Sequence, residues 1–339
     1  MAKGKTINCN SMKYRKLGKT GFKVSEISLG TWQVGGKWGS PFNEKNAIQV
    51  INKALDNGVN FIDTADVYSN GLSETAVGKV VRARSERVYV ATKCGRQINP
   101  HVNAGYKPKL LQKYIEDSLK RTGLETLDLV QLHCPPTEVY YRPEIFEMFD
   151  RLKEQGKVLN MGVSVEKVEE ALKAIEYPNV STVQIIFNLF RQRPAELFFR
   201  EAKRRNTGII VRVPLASGLL TGLFNSSTVF GSDDHRFFNR KGESFDKGET
   251  FSGIDYELGL KAVEELKSLF PDAKNLAPVA LKWILSFEEV SCIIPGASKV
   301  DHVLSNLSVY DLPDLSSEQI SAMNNIYNQY IKKEVHNLW

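Results

Sequence analysis

Four side chains have types that together could move a proton to or from an oxygen atom: Asp63, Tyr68, Lys93 and His133. A free tyrosine has a pKa of about 10, and a nearby ammonium such as Lys93 lowers it by favouring the phenolate. A carboxylate paired with the lysine would hold it in place, and a histidine could hydrogen-bond the same substrate oxygen. We interpret the set as suited to acid–base chemistry in carbonyl–alcohol interconversion.

This chemistry also needs a hydride donor, which no side chain supplies, so a nicotinamide cofactor is implied. Each of the four residues has an ordinary alternative as well. The Asp could be a helix N-cap, the Lys a solvated charge, the His a core residue and the Tyr a packed surface aromatic. The catalytic interpretation depends on the four occurring together at the ends of consecutive predicted strands.

Eight short apolar segments alternate with helical patterns along the chain. The predicted strands are Ile27–Leu29, Val59–Ile62, Val88–Ala91, Leu127–Leu132, Val158–Val163, Thr182–Ile186, Ile209–Val213 and Val290–Ile294. The predicted helices are Glu44–Asn57, Pro108–Arg121, Pro143–Gln155, Pro194–Arg205, Asp255–Leu269, Ala277–Phe287 and Ser316–Tyr330. Short strands rich in Val, Ile and Leu are typical of a parallel sheet buried on both faces. The pattern predicts an α/β fold, a closed (β/α)8 TIM barrel whose chemistry lies at the carboxyl ends of the strands.

An open, doubly wound sheet is the competing fold. It usually carries GxGxxG after its first strand, and Gly30, Gly35 and Gly36 do not have that spacing. Two irregular segments remain. Tyr14–Ser25 is predicted to form a hairpin before the barrel, and the polar, Gly-rich stretch Leu223–Ile254 is predicted to form a long lid loop.

The formal net charge of +6 is concentrated near the N-terminus. The first 24 residues hold seven basic and no acidic side chains, which leaves 38 basic and 39 acidic side chains in the rest. No zinc-finger spacing, aromatic RNA-binding pattern or basic amphipathic helix accompanies this cluster. We therefore expect a flexible, solvated basic head at residues 1–12, a single domain at 13–339, and no nucleic-acid partner.

Neither a membrane-spanning nor a secreted protein is indicated. No apolar run approaches the roughly 18 residues of a membrane helix, and the first twelve residues are polar, which predicts a cytoplasmic protein with no membrane partner. The cysteines (Cys9, Cys94, Cys134 and Cys292) are too far apart for a CxxC pair. The five histidines show no paired spacing, so no metal site is predicted.

One long segment carries a family resemblance. The run from Gly58 to Glu74, together with Gly78, resembles the first signature of the aldo-keto reductase superfamily. Similarity continues at Ala91–Lys93, Leu132–His133, Gly162–Ser164, Pro214–Gly222 and Ile294–Lys299. It extends roughly from Lys13 to Ile331, and the sequence is most similar to the bacterial branch that also resembles potassium-channel β-subunits.

The resemblance implies a catalytic tetrad of Asp63, Tyr68, Lys93 and His133. Tyr68 would be the general acid for reduction, Lys93 paired with Asp63 would tune it, and His133 would orient the carbonyl oxygen. It also implies that the N-terminal hairpin closes the barrel bottom, opposite the active site.

The resemblance further implies NADPH as cofactor, with NADH less favoured. The implied cofactor-binding residues are Gly30, Thr31, Trp32, Asp63, Ser164, Gln184, Arg212, Pro214, Leu215, Ser217, Gly218, Leu219, Gly222, Gly296, Ser298, Lys299, His302 and Asn306. Three positions depart from the family pattern. Val165 replaces a frequent Asn, His302 replaces a frequent Arg beside the 2′-phosphate, and Arg212 stands where many members stack a Tyr or Trp on the nicotinamide. A guanidinium can also stack, and we expect its charge to disfavour the oxidised, cationic ring.

The predicted substrate pocket consists of Trp32, Trp38, Tyr68, Cys94 and His133, with residues from the lid. The two tryptophans could instead be packing residues. The implied activity is NADPH-dependent reduction of a small aldehyde or ketone to an alcohol by a monomer or homo-oligomer. Two alternatives remain open: an NADP-dependent sugar or polyol dehydrogenase working oxidatively, and a cofactor-sensing binding subunit.

Overall fold

Ten strands occur in the computed structural model, which describes residues 12–36 and 41–339. An antiparallel hairpin comes first, formed by β1 (Tyr14–Lys16) and β2 (Lys23–Ser25). The eight strands after it are β3 (Leu29–Gly30), β4 (Phe61–Asp63), β5 (Tyr89–Cys94), β6 (Leu127–His133), β7 (Val158–Ser164), β8 (Val180–Ile186), β9 (Gly208–Arg212) and β10 (Val290–Ile293). They are parallel and pair in chain order from β3 to β10. Parallel bridges from Ile27 to Ile293 and from Gly30 to Gly296 join the two ends, which confirms the predicted TIM barrel.

Helices connect the strands and pack around the barrel. They are α1 (Glu44–Leu55), α2 (Leu72–Arg82), α3 (Pro108–Thr122), α4 (Pro143–Glu154), α5 (Val168–Ala174), α6 (Phe198–Arg204), α7 (His235–Phe238), α8 (Tyr256–Leu269), α9 (Ala277–Leu285), α10 (Val300–Leu307), α11 (Ser317–Ile326) and α12 (Lys332–Val335). The sequence did not predict α2, α5 or α10, nor the four-residue helices α7 and α12. The helix predicted from Pro194 begins only at Phe198, because Leu197 leaves helical geometry at a φ of −128°.

The hairpin closes the bottom of the barrel, as predicted. Its side chains Leu17, Phe22 and Val24 pack in one buried cluster with residues that point into the barrel, including Phe61 and Ile210. Gly18, in the turn, has a φ of 51°, and a Cβ there would lie 2.1 Å from the backbone nitrogen of Gly208. Glycine therefore lets the turn approach the strands closely.

The lid segment, residues 223–254, connects the barrel to α8. It is irregular, with α7 and two short 3₁₀ turns at Lys247–Glu249 and Phe251–Gly253. Its side chains Phe224, His235 and Phe245 line a cavity at the carboxyl ends of the strands.

No helix among residues 12–36 and 41–339 combines the length and apolar character needed to cross a membrane. The predicted basic head lies outside the described residues, apart from Met12, which packs against the main core.

Candidate active site

A cavity of about 700 Å³ opens at the carboxyl ends of the barrel strands. Three predicted catalytic residues, Asp63, Tyr68 and His133, line it, and Lys93 lies directly behind them. Other predicted residues on its wall are Gly30, Thr31, Trp32, Gln184, Arg212, Pro214, Leu215, Ser217, Gly218, Gly296, His302 and Asn306. The structure therefore brings the four proposed catalytic residues together beside most of the predicted cofactor positions.

Lys93 occupies the centre of the tetrad. Its Nζ donates to Asp63 Oδ1, to the Thr64 carbonyl oxygen at 2.9 Å, and to the Tyr68 hydroxyl at 3.2 Å. The residues reach one another because β4 and β5 are adjacent parallel strands, with Asp63 paired to Ala91. Lys93 is 0% exposed and Asp63 is 1% exposed, so water does not screen their ion pair.

Two glutamines hold the other oxygen of the Asp63 carboxylate. Asp63 Oδ2 accepts from Gln184 Nε2 at 2.8 Å and from Gln131 Nε2 at 3.1 Å. Both glutamines are buried, Gln131 in β6 and Gln184 in β8, and both point inward across the barrel to Asp63 in β4. The two hydrogen bonds thus hold the carboxyl group in place beside Lys93.

Burial raises the pKa of Tyr68 above its ordinary value, and the Lys93 ammonium offsets this only in part. Lys93 thus lowers the pKa of Tyr68 as expected, but burial outweighs it, so the net pKa of Tyr68 is raised and not lowered. For Lys93 itself, burial opposes the charge, but Asp63 and Tyr68 outweigh it and raise its pKa. At neutral pH the site holds a protonated Tyr68 beside a protonated Lys93.

His133, at the end of β6, is neutral at physiological pH. Burial lowers its pKa well below the ordinary value, and the cations Arg96, Lys93 and Arg212 lower it further. Its ring lies edge-on to that of Tyr68, with centroids 6.0 Å apart. A neutral imidazole at this place can donate one N–H to an oxygen bound beside Tyr68.

The loop after β9 forms another wall of the cavity. Ala216, Ser217 and Gly218 have φ values of 47°, 56° and 94°, a run of left-handed backbone that favours small residues. Across the cavity, a Cβ added to Gly296 would meet nothing closer than 4.0 Å. Backbone is therefore exposed to the cavity on both sides, as close binding of a phosphate group requires.

Several predicted residues do not line the cavity. Ser164, Leu219, Gly222, Ser298 and Lys299 lie near it but outside its wall. Trp38 lies outside the described residues. Cys94 was predicted at the pocket wall. Its thiol instead packs in the core between the sheet and the helices, because side chains alternate along β5 and Lys93 takes the inward position.

Arg212 is not a lone cation. Its Nη2 donates to Glu166 Oε2 at 2.8 Å and to the Val165 carbonyl oxygen at 3.1 Å, and its Nη1 lies 3.6 Å from Glu249 Oε2. Arg96 donates to Glu249 Oε1 at 2.8 Å. Burial raises the pKa of Glu166 to about 8. Burial also opposes the charge of Glu249, but Arg96 and Arg212 outweigh it and lower the pKa of Glu249 to about 2. At neutral pH the Glu249 carboxylate therefore offsets part of the charge that we expected to disfavour an oxidised nicotinamide.

Sequence reasoning missed three of these residues. Arg96 and Glu166 follow β5 and β7 within three residues, so the strand-end rule could have found them. Glu249 comes from the irregular lid, where no sequence pattern marks it. Cys134 Sγ lies within 4.8 Å of the ligand atoms of Glu166 and Glu249, but both carboxylates already pair with Arg96 and Arg212.

Comparison with known proteins settles the family. A family model described as the aldo/keto reductase family matches residues 26–328. The chain belongs to the aldo-keto reductase family. This aldo-keto reductase is therefore an oxidoreductase that depends on a nicotinamide cofactor, NAD(P)H, and acts on small carbonyl or alcohol substrates.

Relatives of this aldo-keto reductase cover nearly its whole length. Aldo-keto reductase YhdN of Bacillus subtilis is 30% identical over 333 residues, 96% of each chain. The oxidoreductase YqkF of the same species is 26% identical over 326 residues, 95% of this chain and 99% of that protein. Among solved structures, a glycerol dehydrogenase from Gluconobacter oxydans is 29% identical with a TM-score of 0.75, covering 96% of this chain and 97% of that one.

Proposed function

We propose that this protein reduces small aldehydes or ketones to alcohols with NADPH, and that Tyr68 is the general acid. The observation that carries the proposal is the contact of the Tyr68 hydroxyl with Lys93 Nζ at 3.2 Å, at a cavity wall shared with His133. A general acid must hold its proton at the working pH and lie within reach of the reacting oxygen. Tyr68 meets the first condition through its raised pKa and the second through its place on the wall.

The proton step assigns a role to each tetrad residue. The neutral His133 donates an N–H to the carbonyl oxygen and orients it towards Tyr68. Tyr68 gives its proton to that oxygen as negative charge develops there. The Lys93 ammonium stabilises the phenolate that remains, and Asp63 keeps Lys93 charged and in place.

NADPH, when bound, supplies the hydride that reduces the carbonyl carbon. The residues present fit such a cofactor, because the cavity runs from Tyr68 past Gly218 and Gly296 to His302 and Asn306. Gln184 and Arg212 would hold the nicotinamide end, and the backbone at Ser217 and Gly218 would hold the pyrophosphate.

The preference for NADPH over NADH rests on the start of α10. His302 lines the cavity, and its Nδ1 lies 3.3 Å from Ser298 Oγ. Lys299 is exposed beside them and can turn towards a phosphate. We expect these three groups to bind a 2′-phosphate, and competitive titration of NADPH against NADH would test this.

Oxidation of a polyol is a second candidate function. The likeness to the Gluconobacter glycerol dehydrogenase favours it. The same tetrad can work in reverse, with the Tyr68 phenolate accepting the proton of an alcohol. The direction would then follow from the substrate and the cellular ratio of NADP⁺ to NADPH.

A substrate panel tests both candidates. Small aldehydes and ketones are added with NADPH or NADH, and polyols and sugars with NADP⁺ or NAD⁺, while absorbance of the reduced nicotinamide is followed. Reduction that is faster with NADPH supports the proposal, and turnover of polyols alone supports the second candidate. NADPH binding without turnover of any substrate would contradict both and favour a cofactor-sensing binding subunit.

A further inference from the structure

Trp339 packs behind the lid, on the side away from the cavity. Its side chain is 6% exposed and belongs to the main hydrophobic core. Its indole Nε1 donates to Asp246 Oδ1 at 2.8 Å. The ring also packs directly against two lid glycines. A Cβ added to Gly248 would lie 2.9 Å from the indole ring, and a Cβ added to Gly253 would lie 2.5 Å from it. One side chain thus contacts both ends of the lid stretch 246–253.

Two arginines hold Trp339 in this place. The Arg191 guanidinium lies 4.0 Å from the centre of its ring, within the range of a cation–π contact. Arg191 Nη2 also donates to the Ser252 carbonyl oxygen at 3.0 Å. Arg193 Nη1 donates to the Trp339 carbonyl oxygen at 2.9 Å. Trp339 therefore contacts the lid stretch in two ways: directly, and through Arg191, which touches both.

The opposite face of the same stretch meets the active-site cavity. Glu249 points to Arg96 at 2.8 Å and to Arg212 at 3.6 Å. Its carbonyl oxygen accepts from Ser217 Oγ at 3.0 Å, and Ser217 Oγ in turn accepts from the Phe251 amide at 3.2 Å. Eight residues of lid thus lie between Trp339 on one side and Arg212 and Ser217 on the other.

We propose that Trp339 is a positioning residue that keeps the lid stretch 246–253 closed on the cavity and so slows release of the nicotinamide cofactor. It acts through Glu249, which holds the two arginines, and through the contact of that stretch with Ser217. The inference rests on the proposed function, because it assigns Arg212 and Ser217 to cofactor binding. Since Trp339 does not line the cavity, its effect falls on binding kinetics and not on the proton step.

The test measures NADPH dissociation by stopped-flow displacement, followed by the fluorescence of NADPH itself. We expect Trp339→Ala to release NADPH about tenfold faster than the wild type. Trp339→Phe keeps an aromatic ring but loses the hydrogen bond from the indole to Asp246, so we expect NADPH release about threefold faster than in the wild type. The rate of a single turnover at saturating NADPH should stay near that of the wild type in both variants, because the tetrad is untouched.

Trp283→Phe is the matched control. Trp283 lies in α9, is 0% exposed and stacks on Phe187 in the core with ring centroids 5.1 Å apart. Its substitution lowers stability without touching the lid, so NADPH release should keep the wild-type rate. A general loss of stability would instead speed release in this variant as well.

Release at the wild-type rate in Trp339→Phe and Trp339→Ala, or equal acceleration in Trp283→Phe, would overturn the inference. If Trp339→Ala does not fold, Trp339→Phe alone decides. A wild-type protein that binds no NADPH would overturn the proposed function and this inference with it. A wild type that binds NADPH while the Trp339 variants release it unchanged would overturn only the inference.

Discussion

The side chains of the ion pair between Lys93 and Asp63 are almost fully buried, although Asp63 also borders the cavity. Removal of one partner of such a pair leaves an uncompensated buried charge, whereas removal of both charges does not. At the scale of single residues, we therefore expect the tetrad to contribute both to stability and to chemistry, and the two contributions can be measured separately.

We expect Lys93→Met to lower the free energy of unfolding by about 3–5 kcal/mol, because Asp63 is left buried without its ion-pair partner. Urea denaturation measures this loss, and the turnover rate of the folded variant measures the loss of catalysis. The double variant Lys93→Met with Asp63→Asn should recover most of the stability and none of the turnover. Recovery of turnover in the double variant would show that Lys93 has only a structural role.

Arg212 illustrates what a sequence can and cannot supply at this scale. Its place at the end of β9 follows from the strand pattern. Its electrostatic state does not, because Glu166 and Glu249 are 46 and 37 positions away along the chain. The expected bias against an oxidised nicotinamide depended on an unpaired charge, and the fold pairs it.

At the scale of elements, the segment that joins β4 to α2 buries a second carboxyl group. Asp66 is 1% exposed and forms no ion pair among the described residues. Burial and the charge of Glu74 raise its pKa to about 7, and Arg121 and the Val67 amide offset this only in part. The native state therefore binds this proton across a pH range in which the unfolded chain, with an Asp pKa of about 3.9, has released it.

Stability should consequently fall as pH rises from about 4 to above 7, because the native state binds the additional proton in that range. We expect Asp66→Asn to remove this decrease of the free energy of unfolding with pH. At pH 8 the variant should be more stable than the wild type by about 1–3 kcal/mol. Thermal or urea unfolding at a series of pH values measures the free energy of unfolding of both proteins. Asp272→Asn, at an exposed position, is the control and should keep the wild-type slope. The same slope in Asp66→Asn would show that another group causes it.

Most elements could be predicted from periodicity, and the exceptions have physical reasons. The eight barrel strands are continuous apolar segments, which a parallel sheet buried on both faces requires. Helices α5 and α10 are only seven and eight residues long, too short to show a clear apolar stripe. Helix α2 follows the segment that carries Tyr68 through a left-handed Gly71, and its start carries no side-chain cap. The lid has no periodicity, so its contacts with Arg96 and Trp339 could not be predicted.

At the scale of the whole molecule, the N-terminal hairpin and the active site lie at opposite ends of the barrel. The hairpin that follows the head closes the bottom, and the cavity opens at the carboxyl ends of the strands. We therefore propose that cofactor binding depends on a few placed groups such as Arg212 and His302, and not on the net charge of +6.

Deletion of residues 1–12 should leave the dissociation constant of NADPH within about twofold of the wild type, because charges farther apart than a Debye length of about 8 Å are largely screened. Fluorescence titration of NADPH at physiological ionic strength measures it. A tenfold loss of affinity would place the head near the cofactor and contradict this arrangement.

The central claim is that Tyr68 protonates the substrate oxygen in a site that binds NADPH without it. The most direct measurement is a single turnover of Tyr68→Phe with an aldehyde that the wild type reduces, together with NADPH titration of the same variant. We predict a rate at least about 10²–10⁴ lower than that of the wild type, with an NADPH dissociation constant changed by less than about threefold. A variant that retains a substantial fraction of the wild-type rate while binding NADPH equally well would contradict the account.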